Sequence, residues 1–269
     1  MTPTQTICER QIEPLGLPVL GALPESELLV WPERHLGLRA AQEGGLPTTD
    51  DLTALAESHL DVDGLMALIG SSVGEEAQVE STGLAVGRRK LALAQDEAFH
   101  FYYPRSLDCF DIVPFSPLRD KTIPDADAVI IGGGFPEMFA EELTQNSELR
   151  SCLKELADFG KPILGECGGL MYLAEHLEVD GQEFPMCGAM PGKVQMAERL
   201  QHFGYCSGGE STKGHEFHHS KWLGAGDHAN LWQVTKRRTG KSRMEGYKRK
   251  NMRATYVHSM WGNEIFEEN

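Results

Sequence analysis

Apolar and polar positions alternate along the chain in several distinct regimes. From Ile12 to Leu38, short apolar stretches are broken by Pro and Gly (I-E-P-L-G-L-P-V-L-G-A-L-P, then W-P-E-R-H-L-G-L), which predicts a brief buried strand and loops. Between Thr49 and Ile69 the spacing becomes helical. Thr49 or Asp50 is placed to cap, Leu52, Leu55 and Ala56 share a face, and a second start at Asp61 leads to Leu65, Leu68 and Ile69. Ser71 to Thr82 has no periodicity and is expected to be a linker. Beyond it, strand and helix signals alternate, the mark of a mostly parallel sheet with helices on its faces. Lys90 to Ala94 and Ala126 to Ile131 are predicted strands, the latter running into three glycines, Gly132 to Gly134, with a helix from about Glu137. Leu149, Leu153, Leu156 and Ala157 form one stripe of a helix that starts at Ser147 and stops at Gly160. Lys161 to Gly165 is then a buried strand, and Leu170 to Leu177 a helix. The last third is glycine-richer and reads as short strands and loops.

Composition narrows the class. With 41% hydrophobic and 24% charged residues in 269, the chain can bury a sizeable core. No apolar run approaches the ~18 residues of a membrane span, and the amino terminus is polar, so a soluble cytoplasmic protein is expected. Six cysteines without a C-x-x-C pair argue for free thiols rather than a zinc or dithiol centre. The formal charge of −15 disfavours nucleic acid, although nine Lys/Arg lie between Lys236 and Arg253. That stretch holds one aromatic, Tyr247, and so lacks stacking platforms; a solvated basic hairpin is the better reading.

Candidate chemistry concentrates at P-I-L-G-E-C-G-G-L-M-Y-L. Cys167 stands between a strand and a helix, where a nucleophile is held on a sharp elbow. Backbone N–H groups and a helix start there are expected to lower its pKa, and the Gly168 N–H is suited to an oxyanion. A small buried cysteine beside a glycine turn fits the same residues. A-V-I-I-G-G-G-F-P-E brings Gly133, Gly134 and Glu137 to the same carboxyl edge, where ligands bind in open α/β sheets. It is neither a dinucleotide fingerprint nor a P-loop. His258, in A-T-Y-V-H-S-M, is the histidine most plausibly delivered to that edge as a base. His215-Glu216-Phe217-His218-His219 matches H-E-x-x-H, but the flanking glycines disfavour a helix, so no metal is expected and a polar strand or turn is.

Together with P-E-R-H-L-G-L, D-E-A-F-H-F-Y-Y-P, P-F-S-P-L-R-D, G-H-E-F-H and Y-V-H, these motifs, spread from about Ile12 to His258, resemble the cobyrinic acid a,c-diamide synthase family. The resemblance implies a flavodoxin-like α/β class I glutamine amidotransferase domain with a mostly parallel sheet over residues 88–269. A linker over 71–87 and a remnant of an ATP-dependent amidoligase domain over 1–70 would precede it. It implies Cys167 as nucleophile, His258 as base, and Gly133, Gly134, Gly168 and Glu137 around the oxyanion and glutamine. Glutamine would be the substrate. ATP and Mg would serve only the ligase domain or subunit, which is not found here and would bring the corrinoid; this chain itself needs no cofactor, and a homodimer is left open. Class I enzymes place a glutamate two residues after the histidine, where this chain has Met260, so Glu216, with His218 beside it, or a backbone carbonyl is left as the orienting group. Two alternatives stand beside this reading: a nickel-tetrapyrrole a,c-diamide synthase, and a diverged binding module that keeps the fold without catalysis.

Overall fold

The computed structural model describes residues 10–30, 45–70, 88–209 and 212–261. The chain divides into two compact units, Met1–Leu84 and Ala85–Asn269. The expected linker over 71–87 lies outside the described residues.

In the first unit, single 3-10 turns at Glu13–Leu15 and Glu27–Leu29 precede two helices, α1 (Thr49–His59) and α2 (Val62–Gly70). The cap of α1 is Thr48, one residue before the expected position. Its hydroxyl accepts the Asp51 N–H (3.1 Å), and the Asp51 carboxylate accepts the Thr48 N–H (3.0 Å), a reciprocal capping box. None of the described residues of this unit is buried. The brief buried strand expected between Ile12 and Leu38 is reduced, in the described part, to one bridge between Gly21 and Leu60, because proline and glycine interrupt every apolar run before a ladder can grow.

The second unit opens with β1 (Arg89–Ala94), β2 (Phe99–Phe101), α3 (Pro104–Leu107), β3 (Phe110–Phe115), β4 (Ala128–Ile131) and β5 (Gly133–Gly134). A 3-10 turn (Pro136–Phe139), α4 (Ala140–Gln145), α5 (Ser147–Phe159), β6 (Ile163–Glu166) and α6 (Gly168–Leu173) follow. The remainder is mostly strand: β7 (His176–Val179), β8 (Gln182–Pro185), β9 (Lys193–Met196), β10 (His202–Gly208), β11 (Thr212–His218) and β12 (Ser220–Trp222). After α7 (Ala225–His228) come β13 (Trp232–Lys236), β14 (Ser242–Glu245), β15 (Tyr247–Arg249), β16 (Met252–Thr255) and β17 (His258–Ser259). The expected helix over Leu170–Leu177 stops at Leu173, since Ala174 turns to extended backbone and His176 begins a strand.

The central sheet has the order β15-β16-β6-β4-β1-β3 and is parallel except for β15. Its strands are nearly continuously apolar because both faces are covered. Ala92, Ala94, Val129, Ile131 and Ile163 enter one cluster, while the alternate residues Leu91, Leu93, Ala128, Ile130 and Leu164 enter the other. Helix α5 docks on the first cluster through Leu149, Leu153 and Ala157 and ends at Gly160 with φ 86°. Beside this layer stand an antiparallel sheet, β14-β13-β10-β11-β17, and a smaller one, β12-β9-β7-β8. Residues Lys236–Arg253 run from the end of β13 through the hairpin to β14 and on through the edge strand β15, so the basic stretch begins as the expected hairpin but ends in β16, inside the central sheet. Among the described residues, no helix is long and apolar enough to cross a membrane.

The decisive consequence of this topology is that β4, β6 and β16 all end at one edge, delivering Gly132–Gly134, Cys167 and the approach to His258 there. The approach is close: a Cβ on Gly169 would run into the Ile131 carbonyl oxygen. Gly169→Ala is therefore expected to cost about 1–3 kcal/mol in denaturant unfolding; an unchanged midpoint would show that the elbow and β4 are not in contact.

Candidate active site

The site is built on an unusual residue. Cys167 has φ 51° and ψ −100°, a region a side-chain-bearing residue enters only when its surroundings fix it there. Its N–H donates to the Thr255 carbonyl at 2.7 Å, its own carbonyl accepts the Met171 N–H, and the Gly169 N–H donates to the Gly132 carbonyl at 3.0 Å. The Gly132–Gly134 segment is pinned in turn. Tyr102 Oη donates to the Ala94 carbonyl and accepts the Gly132 N–H at 3.0 Å, while Gly134 lies so close to the Ala98 carbonyl that no side chain fits. A Cβ on Gly168 would stand 3.2 Å from the Gly134 nitrogen, so the amide-rich glycine loop and the elbow face each other directly.

His258 reaches this point from β17, which pairs with β11 rather than with the parallel sheet. Glycine is required opposite it, because a Cβ on Gly133 would lie 2.6 Å from His258 Cε1. The ring stacks on His215 with centroids 5.1 Å apart and planes 18° apart, and His215 Nδ1 is hydrogen-bonded to Tyr103 Oη at 3.1 Å. The next residue, Ser259, donates both its N–H and its Oγ–H to Glu166 Oε1, each at 3.2 Å. Met260 is 58% exposed. Among the described residues, no hydrogen bond joins the Cys167 thiol to the His258 ring.

Glu216 and His218 lie next door on the buried side of β11. Glu216 forms a two-point ion pair with Arg243 and lies 3.8 Å from His218 Nε2. His218 donates from Nδ1 to the Ser220 carbonyl at 2.8 Å and stacks on Tyr256 at 3.8 Å. The carboxylate is thus engaged by Arg243 and has no hydrogen bond to His258. The H-E-x-x-H segment is extended in β11, so its histidines are not one helical turn apart.

The sequence-predicted residues Cys167, Gly133, Gly134, Gly168, Glu137 and His258 meet at this edge. Sequence reasoning missed Glu166, Ser259, Tyr102 and Tyr103, and met His215 only inside the zinc-like match. One signal was available for Glu166: a carboxylate closing an otherwise apolar buried strand.

The family model for the CobB/CobQ-like glutamine amidotransferase domain matches residues 90–266. The chain belongs to this family. Among curated relatives, the cobyrinate a,c-diamide synthase of Listeria monocytogenes serotype 4b is 39% identical over 266 residues, covering 90% of this chain and 58% of that protein. That of Synechocystis is 37% identical over 278 residues, covering 94% and 57%. The chain thus spans little more than half the length of these relatives. A solved glutamine amidotransferase overlays at a TM-score of 0.33 with 16% identity over 49% of this chain and 70% of that one, too loosely to bear on the fold.

The electrostatics of the candidate site differ from the expectation. Burial, then the Glu137 carboxylate, pushes the Cys167 thiol up to about 12, outweighing the Gly168 N–H that favours the thiolate; Glu166 and Glu216 add to the rise. The expected lowering fails because the residue is only 9% exposed and the helix it opens is short. Burial, followed by His215 and His218, lowers His258 to about 4. The resting pair is therefore a neutral thiol and a neutral imidazole. Burial also raises Glu137 to about 7, against its own backbone N–H.

That last shift has a thermodynamic sign. Between pH 4.5 and 7 the folded state holds a proton on Glu137 that the unfolded state has released, so this group's contribution to stability falls as pH rises. Relative to the parent, Glu137→Gln is expected to gain stability over that window, by up to about 3 kcal/mol at pH 8. Urea unfolding of both proteins at pH 4.5 and pH 8 measures it, and a difference that does not change with pH contradicts it.

Proposed function

We propose that this domain hydrolyses glutamine through a γ-glutamyl thioester on Cys167, releasing ammonia for amidation of carboxylates. The observation that supports the reading best is the left-handed elbow at Cys167, set against a glycine loop whose missing side chains leave room for both His258 and a substrate carbonyl. Gly168 and Gly134 supply backbone N–H groups where an oxyanion would form. The thiol proton passes to His258 Nε2 or Nδ1 as Sγ attacks the carboxamide carbon. The imidazolium then returns the proton to the departing nitrogen, so that ammonia leaves and the thioester remains. Water, deprotonated by His258, cleaves the thioester to glutamate and restores the thiol.

Glu137 suits the substrate's α-ammonium. Its ionised carboxylate is the second largest cause of the raised thiol. A cation paired with it would offset that charge, so glutamine itself would ease ionisation of Sγ. Ammonia would then reach an ATP- and Mg-dependent ligase region outside this domain, which would activate the a and c carboxylates of cobyrinate or of a related nickel tetrapyrrole. Residues 1–70 fit a remnant of that region. One observation favours a second reading, a non-catalytic module: the thiol and imidazole are neutral and share no hydrogen bond, so the site as it stands is unprimed.

Glutamate release from glutamine by the purified chain, with and without the ATP-dependent part of a relative, separates the two. The parent is expected to exceed Cys167→Ala by about 10³-fold or more in at least one condition; equal rates in both conditions would refute the enzymatic reading.

A further inference from the structure

We infer that Glu166 is a positioning residue for His258, fixing through Ser259 the strand that carries the imidazole to the strand end that carries the sulfur. The inference rests on the glutaminase reading and adds to it the carboxylate that Met260 cannot provide, since Met260 carries only a weakly accepting thioether and is 58% exposed.

The geometry is economical. Glu166 is the last residue of β6 and directly precedes Cys167; Ser259 directly follows His258. One oxygen, Oε1, accepts both the Ser259 N–H and its hydroxyl at 3.2 Å. The bridge therefore spans residues adjacent in sequence to both members of the reacting pair. Glu166 is 3% exposed and Ser259 6%, so water does not compete for either bond.

The imidazole needs such a tether. Strand β17 has only two residues and is paired only with β11, at the rim of the antiparallel sheet. After β16 ends at Thr255, the main chain must leave the parallel sheet and still return His258 to Gly133. A second buried carboxylate holds the start of this crossing, with Glu245 accepting from Thr255 Oγ1 and from the Tyr256 N–H, both at 2.7 Å. Glu166 holds its far end. Without it, the short β11–β17 pairing, the stack on His215 and the space at Gly133 would have to fix the ring, and a displacement near 1 Å is enough to cost about 100-fold in a reaction that depends on alignment.

Glu166 acts through the main chain and touches neither the ring nor a reacting atom. Its task toward Ser259 is acceptance of two hydrogen bonds, beside a further one from the Trp261 side chain, so an amide oxygen should serve in place of the carboxylate. Its negative charge would even disfavour the thiolate next door.

Covalent inactivation of the full chain by 6-diazo-5-oxonorleucine, a glutamine-like electrophile, tests this by separating its binding constant from its maximal rate. Glu166→Ala is expected to lower the maximal rate about 10- to 100-fold with binding unchanged within about twofold. Glu166→Gln should recover to within about threefold of the parent, and Ser259→Ala, which loses one of the two bonds, should fall between; this milder variant carries the test if Glu166→Ala does not fold. A parent that reacts while Glu166→Ala or Ser259→Ala reacts equally fast would overturn the inference alone, as would Glu166→Gln impaired as deeply as Glu166→Ala. A parent that does not react at Cys167 either alone or with the ATP-dependent part of a relative added would remove the glutaminase reading and this inference with it.

Discussion

The structure turns on a single strained backbone position. Cys167 adopts φ 51° although it carries a side chain, and nothing local rewards it for doing so. The conformation is maintained from outside: Thr255 receives its N–H, α6 continues directly from it, and Gly169 locks into the Gly132 carbonyl. Thr255 ends parallel strand β16 and Gly132 directly follows parallel strand β4. The register of β4, β6 and β16 is therefore what holds the sulfur at the sheet edge, and the packing of both sheet faces is what holds the register.

The same burial that fixes the elbow opposes the chemistry it is proposed to perform. A thiol raised to about 12 and an imidazole lowered to about 4 leave a large gap between resting state and ion pair. The charges around the site make the gap conditional. Glu137 faces the sulfur from the start of its 3-10 turn, and an incoming ammonium would neutralise it. In the proposed reaction, that neutralisation would couple ionisation of the sulfur to the arrival of glutamine.

Much of the fold was legible from periodicity. The stripe Leu149–Leu153–Leu156–Ala157 with Gly160, and the apolar runs at Leu91, Val129 and Ile163, announced a helix over a parallel sheet because each burial face repeats locally. The glycine-rich G-G-G and E-C-G-G turns marked the site because only close backbone approach explains them. What the residues concealed was non-local. The extent of the Leu170 helix was set by the turn at Ala174 toward β7. The pKa of Cys167 was set by burial and, after it, by carboxylates on three different elements. Stacking of His215 on His258 depends on a cross-strand register that no short window of sequence contains, and the Glu166–Ser259 bridge joins positions 93 residues apart. The motif H-E-x-x-H drew attention to zinc when its first histidine lies against the candidate base.

The most direct measurement is a crystal structure of the chain after reaction with a glutamine-derived diazoketone. A carbon–sulfur bond at Cys167 is expected, with the ligand's carbonyl oxygen within hydrogen-bond reach of the Gly168 N–H and of an N–H from Gly133–Gly134, and the His258 ring facing the adduct. An adduct on another cysteine, or a carbonyl oxygen turned away from the glycine amides, would contradict the account.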